Sequence, residues 1–472
     1  MLLASGNKDP VMKSLVNDLK QLVDGDVAHD AETLETFSSD FGQVIHKRPR
    51  VVVRPRSSTD VARVLRYAST RGIPVSGRAA GHSFGGQSLN QEGISLDLRS
   101  LNAIHQINTA EKWFQAGAGT SWKAVVEAAL PQGLLPPVLT NFHEATLGGT
   151  HSAGGFGIAS FRHGAQIDHC TALEVVTASG DLLWCDPEKH ADLFHHVLGS
   201  FGQYGIITQV RHRLRPTKPW VKRYRLVYTE LGPLLDDCRL LMSERRIDHL
   251  APMITLYRTS RDGLREKQVE WGYAVDLLRE VDAPGESDDS GVLAGLGFSR
   301  CIQLENMTAT QFARWLNNAR PQTLPATIHP SMDVILPWSA AREYISTILE
   351  GVPFQISPPC SLMTTVSVIP LARSALTRPM LRLPSEDFLL GFSIHPYVSL
   401  QESNLVLAKL RMANDLAFEV GGKRYLVGWL PFEADHWRRQ FDTYWPTVVD
   451  MKSRYDSRRI LNPGFCPWSS SL

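Results

Sequence analysis

Hydrophobic positions recur along this chain at two periods, and the switches between them mark its elements. Over residues 11–24 (VMKSLVNDLKQLVD), Met12, Leu15, Val16, Leu19, Leu22 and Val23 fall at helical spacing, which predicts a leading amphipathic helix. The run VVVRP at 51–55 reads as a short buried strand. SSTD at 57–60 then supplies N-cap oxygens for a helix in which Val61, Val64, Leu65 and Ala68 share one face. IPVSG at 73–77 returns as a strand, so a β-α-β unit delivers its end into the glycine-rich stretch Gly77 to Gln87. In ISLDLRSL (94–101), Ile94, Leu96 and Leu98 alternate with polar neighbours, which predicts a strand with one face inward. WFQAGAG followed by SWKAVVEAAL gives another strand and helix. ALEVVTASGDLLWC places Ser179-Gly180 between two apolar runs, a hairpin pattern, and GIITQVRHRLRP reads as a last strand ending near Pro216.

From about residue 217 to 420 proline becomes frequent (RPQTLPATIHPSMDVILPW, VPFQISPPC) and strand-like runs alternate with helical ones. A chain of 472 residues is too long for one compact core. We therefore expect a first domain over 1–217, a substrate domain over 218–420, and a closing segment, 421–472, docked back onto the first domain. No internal repeat or low-complexity tract interrupts this plan.

Composition narrows the possible functions. Hydrophobic residues make up 43% and charged residues 21% of the chain, the balance of an ordinary globular protein. The net charge is +1 with Lys and Arg scattered, so the basic stripe that nucleic acid demands is absent. Six cysteines, Cys170, Cys185, Cys238, Cys301, Cys360 and Cys466, form no CxxC pair. That pattern argues for free thiols rather than a metal site or disulfide scaffold. No run approaches the roughly 20 apolar residues of a membrane span, and MLLASGNKDP lacks the basic start of a signal peptide. The expectation is a cytoplasmic protein acting on a small molecule, with no nucleic-acid or membrane partner.

Two constellations carry the chemistry. In Gly77-Arg78-Ala79-Ala80-Gly81-His82-Ser83-Phe84-Gly85-Gly86-Gln87, small residues after a strand let successive N–H groups point into one concavity, an arrangement that holds a pyrophosphate. Ser83 and Gln87 add prospective side-chain donors. The second cluster, Thr146-Leu147-Gly148-Gly149-Thr150-His151-Ser152-Ala153-Gly154-Gly155-Phe156-Gly157, is equally dense in small residues, and two such loops can enclose a dinucleotide from two sides. Gly155-Phe156-Gly157 does not open a nicotinamide-type fingerprint, because no apolar strand precedes it.

The stretch GRAAGHSFGGQSLNQEGISLDLRSLNAI resembles the first FAD-binding loop of the vanillyl-alcohol-oxidase-like (PCMH-type) flavoproteins. LPPVLTNFHEATLGGTHSAGGFGIASFRHGAQIDHCTALEVVTASGDLLWC, DLFHHVLGSFGQYGIITQVRHRLRP, VKRYRLVYTEL and RYDSRRILNPG resemble the cytokinin dehydrogenase branch. The resemblance implies an α+β fold: an FAD-binding domain of two α/β subdomains, and a substrate domain with an antiparallel sheet flanked by helices. It implies FAD bonded through His82 to the 8α carbon. It also implies cofactor contacts from Arg78, Ala79, Ala80, Gly81, Ser83, Gln87, Ser88, Thr146, Gly149, Thr150, Ser152, Gly154, Gly157, Ile158, Ile207, Tyr425 and Asn462. The implied activity is hydride transfer from an amine or alcohol carbon to flavin N5, with oxygen or another electron acceptor. The alternatives are an oxygen-dependent oxidase of a carbohydrate or secondary metabolite, and a flavin-binding protein without catalysis.

This sequence departs from the family in three places. Some members add a cysteinyl flavin link just before the second glycine cluster; here Asn141-Phe142-His143-Glu144 contains no cysteine, which implies a single histidyl link. Cytokinin dehydrogenases have a proton- or hydrogen-bond-accepting aspartate at the Asn141 position, and an amide cannot take a proton near neutral pH. Glu144, His143 and His151 are the nearby candidates for that task. Phe465 stands where relatives often have glutamine. Arg162-His163-Gly164 matches a family pattern but reads more simply as a turn, His195 and His196 read as one face of a helix rather than a metal site, and Ile206-Ile207-Thr208 reads equally well as a plain core strand.

Overall fold

The computed structural model describes residues 10–259, 268–286, 288–318, 324–351 and 365–466. Cys360 and the VPFQISPPC run containing it lie outside these residues. The fold is α+β, built on three main sheets.

The first sheet has the order Asp26–Ala28, Val51–Arg54, Ile94–Asp97, Val75–Arg78; the last three strands run parallel. The helix between the second and fourth of these spans Ser58–Arg71. Ser57 caps its start by accepting from the Asp60 N–H, and Gly72 ends it at φ 65°, the left-handed conformation that costs glycine least. Its face of Val61, Val64, Leu65 and Ala68 packs with Leu15, Val16 and Leu19 of the leading helix, Pro10–Leu22. One expectation needs correcting: the strand Ile94–Asp97 does not alternate in burial, since Ser95 and Asp97 are as buried as Ile94 and Leu96. It sits between two neighbours, covered on both faces, and that is where parallel strands belong.

The second sheet, antiparallel throughout, orders Ile104–Asn108, Trp113–Gly117, Ile206–Arg213, Cys170–Val176 and Leu182–Cys185. The hairpin at Ser179-Gly180 joins its last two strands, with Gly180 at φ 81°. The third sheet has eight antiparallel strands in the order Arg300–Thr308, Trp220–Tyr228, Gln268–Val281, His249–Thr259, Thr365–Ala372, Phe388–His395, Met332–Pro337 and Lys423–Arg424. Helices Leu231–Glu244, Trp338–Gly351 and Ser403–Glu419 bury apolar side chains against it, among them Leu234, Leu241, Ile345, Leu410 and Ala417. The opposite face is left for the site.

The final residues tie these parts together. Lys423–Arg424 pairs with Val334 and Ile335 of the third sheet. Further along the chain, Leu461 bridges Val75, whose N–H donates to the Ile460 carbonyl and whose carbonyl accepts from the Asn462 N–H, at 2.8 Å each.

Candidate active site

A cavity of about 1020 Å³ opens where the two glycine clusters meet the bare face of the third sheet. It is at the top of the roughly 300–1,000 Å³ range of ordinary small-molecule sites. Of the residues assigned to the cofactor by resemblance, all but Gly154 line it. Gly154 lies behind the wall at φ 139°, where a β-carbon would stand 3.0 Å from the Tyr425 ring.

The first loop forms one wall because its backbone cannot turn back into a ladder. Gly81 is at φ 67°, and the loop is pinned from below by Asp40, whose carboxylate accepts from Gly86 N–H at 2.6 Å and Ser83 Oγ at 2.9 Å. The N–H groups of Ala80, Gly81, His82 and Ser83 meet no acceptor among the described residues. Four consecutive cavity-lining donors without partners are what a diphosphate would satisfy. Ser88 and Asn462 line the same space, and the buried Ser88 hydroxyl and Asn462 Oδ1 are also unpartnered. The residues present therefore fit the pyrophosphate of a dinucleotide.

The side-chain donors proposed from the sequence are a correction. Ser83 Oγ is committed to Asp40, and Gln87 Nε2 donates to the carbonyls of Leu426 and Gly428 at 2.9 and 2.6 Å. Thr150 Oγ1 and Ser152 Oγ likewise donate to carbonyls of their own short helix, at Leu147 and Gly148. These polar side chains build the cradle, and the main chain is left to bind. The second glycine cluster is itself that helix, Leu147–Ala153, rather than a loop. Gly155, at φ 80°, then turns the chain, and Gly155 N–H donates to the Tyr425 hydroxyl at 2.9 Å.

His82 stands on the wall between Phe41 and Phe142, its ring stacked at 4.8 and 4.1 Å from theirs. Burial pushes its pKa down to about 4, so at neutral pH the imidazole is uncharged and nucleophilic. Asn462 closes the far side: its Nδ2 donates to the carbonyls of Gln87 and Phe201 at 2.6 and 2.8 Å.

The proton-accepting candidates fare differently. Asn141 lines the cavity. Glu144 is half-exposed and paired with Lys123 at 3.2 Å, away from the cavity lining. His143 is buried with its backbone N–H on Asn317 Oδ1, and His151 is fully buried with Nδ1 on the Leu147 carbonyl. Neither histidine lines the cavity, although Thr140 and Phe142 on either side of Asn141 do. Arg162-His163-Gly164 is not a free-standing turn: Arg162 and His163 close the short helix Ser160–His163, Gly164 caps it at φ 75°, and Arg162 pairs with Asp248 at 2.7 Å. His195 and His196 lie on the helix Ala191–Val197 against Arg378 and Tyr444. Phe465 packs its ring 4.9 Å from Phe201.

Sequence reasoning missed the third sheet's contribution: Arg225, Asp276, Asp333 and His395 line the cavity, as does His329 from the segment that leads into the strand Met332–Pro337. One signal was present. In FLLGFSIH, Leu390, Phe392 and Ile394 are buried while Gly391, Ser393 and His395 alternate with them on the half-exposed face, a polar stripe on a strand that otherwise reads as core.

The profile of an FAD binding domain family matches residues 49–186, which include both glycine clusters. An uncharacterized oxidoreductase, ORF5 in the fasciation locus of Rhodococcoides fascians, is 31% identical over 92% of this chain and 96% of its own length. Cytokinin dehydrogenase 10 of Oryza sativa subsp. japonica is 29% identical over 92% of this chain and 87% of its own. Among solved structures, 6-hydroxy-D-nicotine oxidase from Arthrobacter nicotinovorans shares the fold, with a TM-score of 0.71 at 20% identity over 93% of this chain and 97% of that one. With a cradle for a diphosphate and relatives that match nearly end to end, the chain belongs to the PCMH-type FAD-dependent oxidoreductases, near the cytokinin dehydrogenase branch.

Proposed function

We propose that this enzyme carries FAD bonded through His82 and oxidises the carbon next to an amine or alcohol of a small molecule. The observation that supports this best is the juxtaposition of the open donors Ala80–Ser83 with an uncharged imidazole held between two aromatic rings. When bound, FAD supplies the two-electron acceptor, its N5 receiving a hydride from the substrate carbon. The chain's own residues do the rest. Main-chain donors hold the diphosphate, Phe41 and Phe142 fix the imidazole plane, and the sheet face with Arg225 and His395, together with His329 beside it, surrounds the substrate and limits water.

Similarity to cytokinin dehydrogenases makes N6-prenyl adenines the first substrates to test. Anaerobic mixing should bleach the flavin's visible absorption, and hydrogen peroxide release in air would identify oxygen as the acceptor. Acid-precipitated protein should stay yellow and fluorescent, and His82→Ala should lose that colour; complete release of flavin from the wild type on denaturation would refute the covalent bond while leaving FAD binding intact. Asn141, an amide facing the cavity, favours one second reading, a flavin-binding protein without turnover. Full FAD loading with no bleaching by any amine, alcohol or sugar would support it.

A further inference from the structure

Asn141 cannot accept a proton, and the carboxylate and imidazoles nearest to it in sequence do not reach the cavity. Oxidising a CH–NH or CH–OH group nevertheless releases one. We propose that His395 takes this proton through Nε2, and that Ser331 and Asp333 behind it are the positioning residues that hold the ring and balance its charge. The inference rests on the reaction proposed above.

The hydrogen bonds fix the tautomer. Ser331 Oγ lies 2.5 Å from Asp333 Oδ2 and 2.8 Å from His395 Nδ1. A hydroxyl has one proton, and an ionised carboxylate can only accept, so Ser331 donates to Asp333. The Ser331 oxygen then accepts from Nδ1–H, and the imidazole lone pair is left at Nε2. That atom has no partner among the described residues and is not sealed in, whereas the unpartnered Nε2 atoms of His143 and His151 are. His395 ends the strand Phe388–His395, whose half-exposed face lines the cavity.

The groups around it favour a neutral ring that can be charged on demand. Burial lowers the His395 pKa and the Asp333 carboxylate opposes that fall. His329, its ring 6.3 Å away, and His82 are the other titratable neighbours, held down to about 3 and 4, so both are neutral as well. His329 is a poorer acceptor: its Nδ1 rests on the Pro396 carbonyl at 2.9 Å, with no carboxylate behind it to stabilise an imidazolium. The step balances. The substrate carbon gives a hydride to oxidised FAD, its N–H or O–H proton passes to His395 Nε2, and the product has a C=N or C=O bond. The proton later leaves to solvent.

The test uses FAD-loaded protein and N6-isopentenyladenine, with simple primary amines and alcohols as further probes. His395→Gln should keep its flavin absorbance yet bleach at least about 100-fold more slowly, the usual worth of a general base. Asp333→Asn removes the charge that favours the imidazolium, so the acid-side limb of the bleaching-rate profile should move to lower pH while the plateau falls. Histidine labelled with 15N should show a non-protonated Nε2 and a protonated Nδ1 in a resonance that disappears in His395→Gln. Wild-type bleaching retained in His395→Gln, or an Nε2–H tautomer, overturns this inference and leaves the oxidoreductase reading standing. Loaded wild-type protein bleached by none of the probes ends that reading and this one with it.

Discussion

Asp40 shows how much the cradle depends on single atoms. One carboxylate oxygen holds the loop through Gly86 and Ser83, and the other is buried without a partner. Burial raises its pKa from 3.8 to about 6. The folded chain therefore keeps a proton that the unfolded chain has already released between those values. Stability should fall as pH climbs from about 4 to about 6 and level off above, a loss of about 3 kcal/mol. Asp40→Asn keeps an acceptor for the Gly86 N–H and removes the titration, so urea unfolding at pH 4.5 and pH 8 should give nearly the same contribution. A second residue-scale prediction concerns Gly155: at φ 80° a β-carbon would stand 2.1 Å from Gln166 Oε1. Gly155→Ala should lower the melting temperature and the flavin content together, because the same turn carries the Tyr425 contact.

At the scale of elements, local pattern predicts well where local physics decides. The helix Ser58–Arg71 was legible from its apolar spacing and its serine cap, and Ser57→Ala should cost about 1 kcal/mol in chemical denaturation with no change in flavin spectrum. The helix Leu147–Ala153 was not legible, because Gly148 and Gly149 oppose helix formation. Tertiary contacts hold it instead: Leu147 and Gly148 N–H groups donate to Thr120 and Ala118, and Trp122 Nε1 donates to Thr150. The cofactor loops were readable as continuous runs of small residues. The sheet side of the cavity was not, since Arg225, Asp276, Asp333 and His395 come singly from four strands and share no spacing. The same gap explains why Glu144, His143 and His151 drew attention as proton acceptors: adjacency in sequence was the only guide, and it does not say which way a side chain points.

At the scale of the molecule, a buried ion pair fastens the closing segment. Lys452 Nζ lies 2.9 Å from Asp456 Oδ2 and donates to the carbonyls of Gln203 and Leu461, while Asp456 accepts from the N–H groups of Ile460 and Leu461. Both side chains are almost fully buried, so Lys452→Ala strands a carboxylate without its partner. We expect a loss of about 3–5 kcal/mol in thermal unfolding, accompanied by weaker flavin retention, because residues 460–462 would lose their mooring to Val75 and Gln87.

That docking also sets an order of events during synthesis. Tyr425 and Asn462 are wall residues of the cavity, yet they are translated hundreds of residues after His82. A nascent chain still on the ribosome has the histidine and both glycine clusters but lacks the side of the chamber that shuts against them. Capture of the flavin is thus a late step, open only once residue 462 has cleared the exit tunnel and swung back to the first sheet.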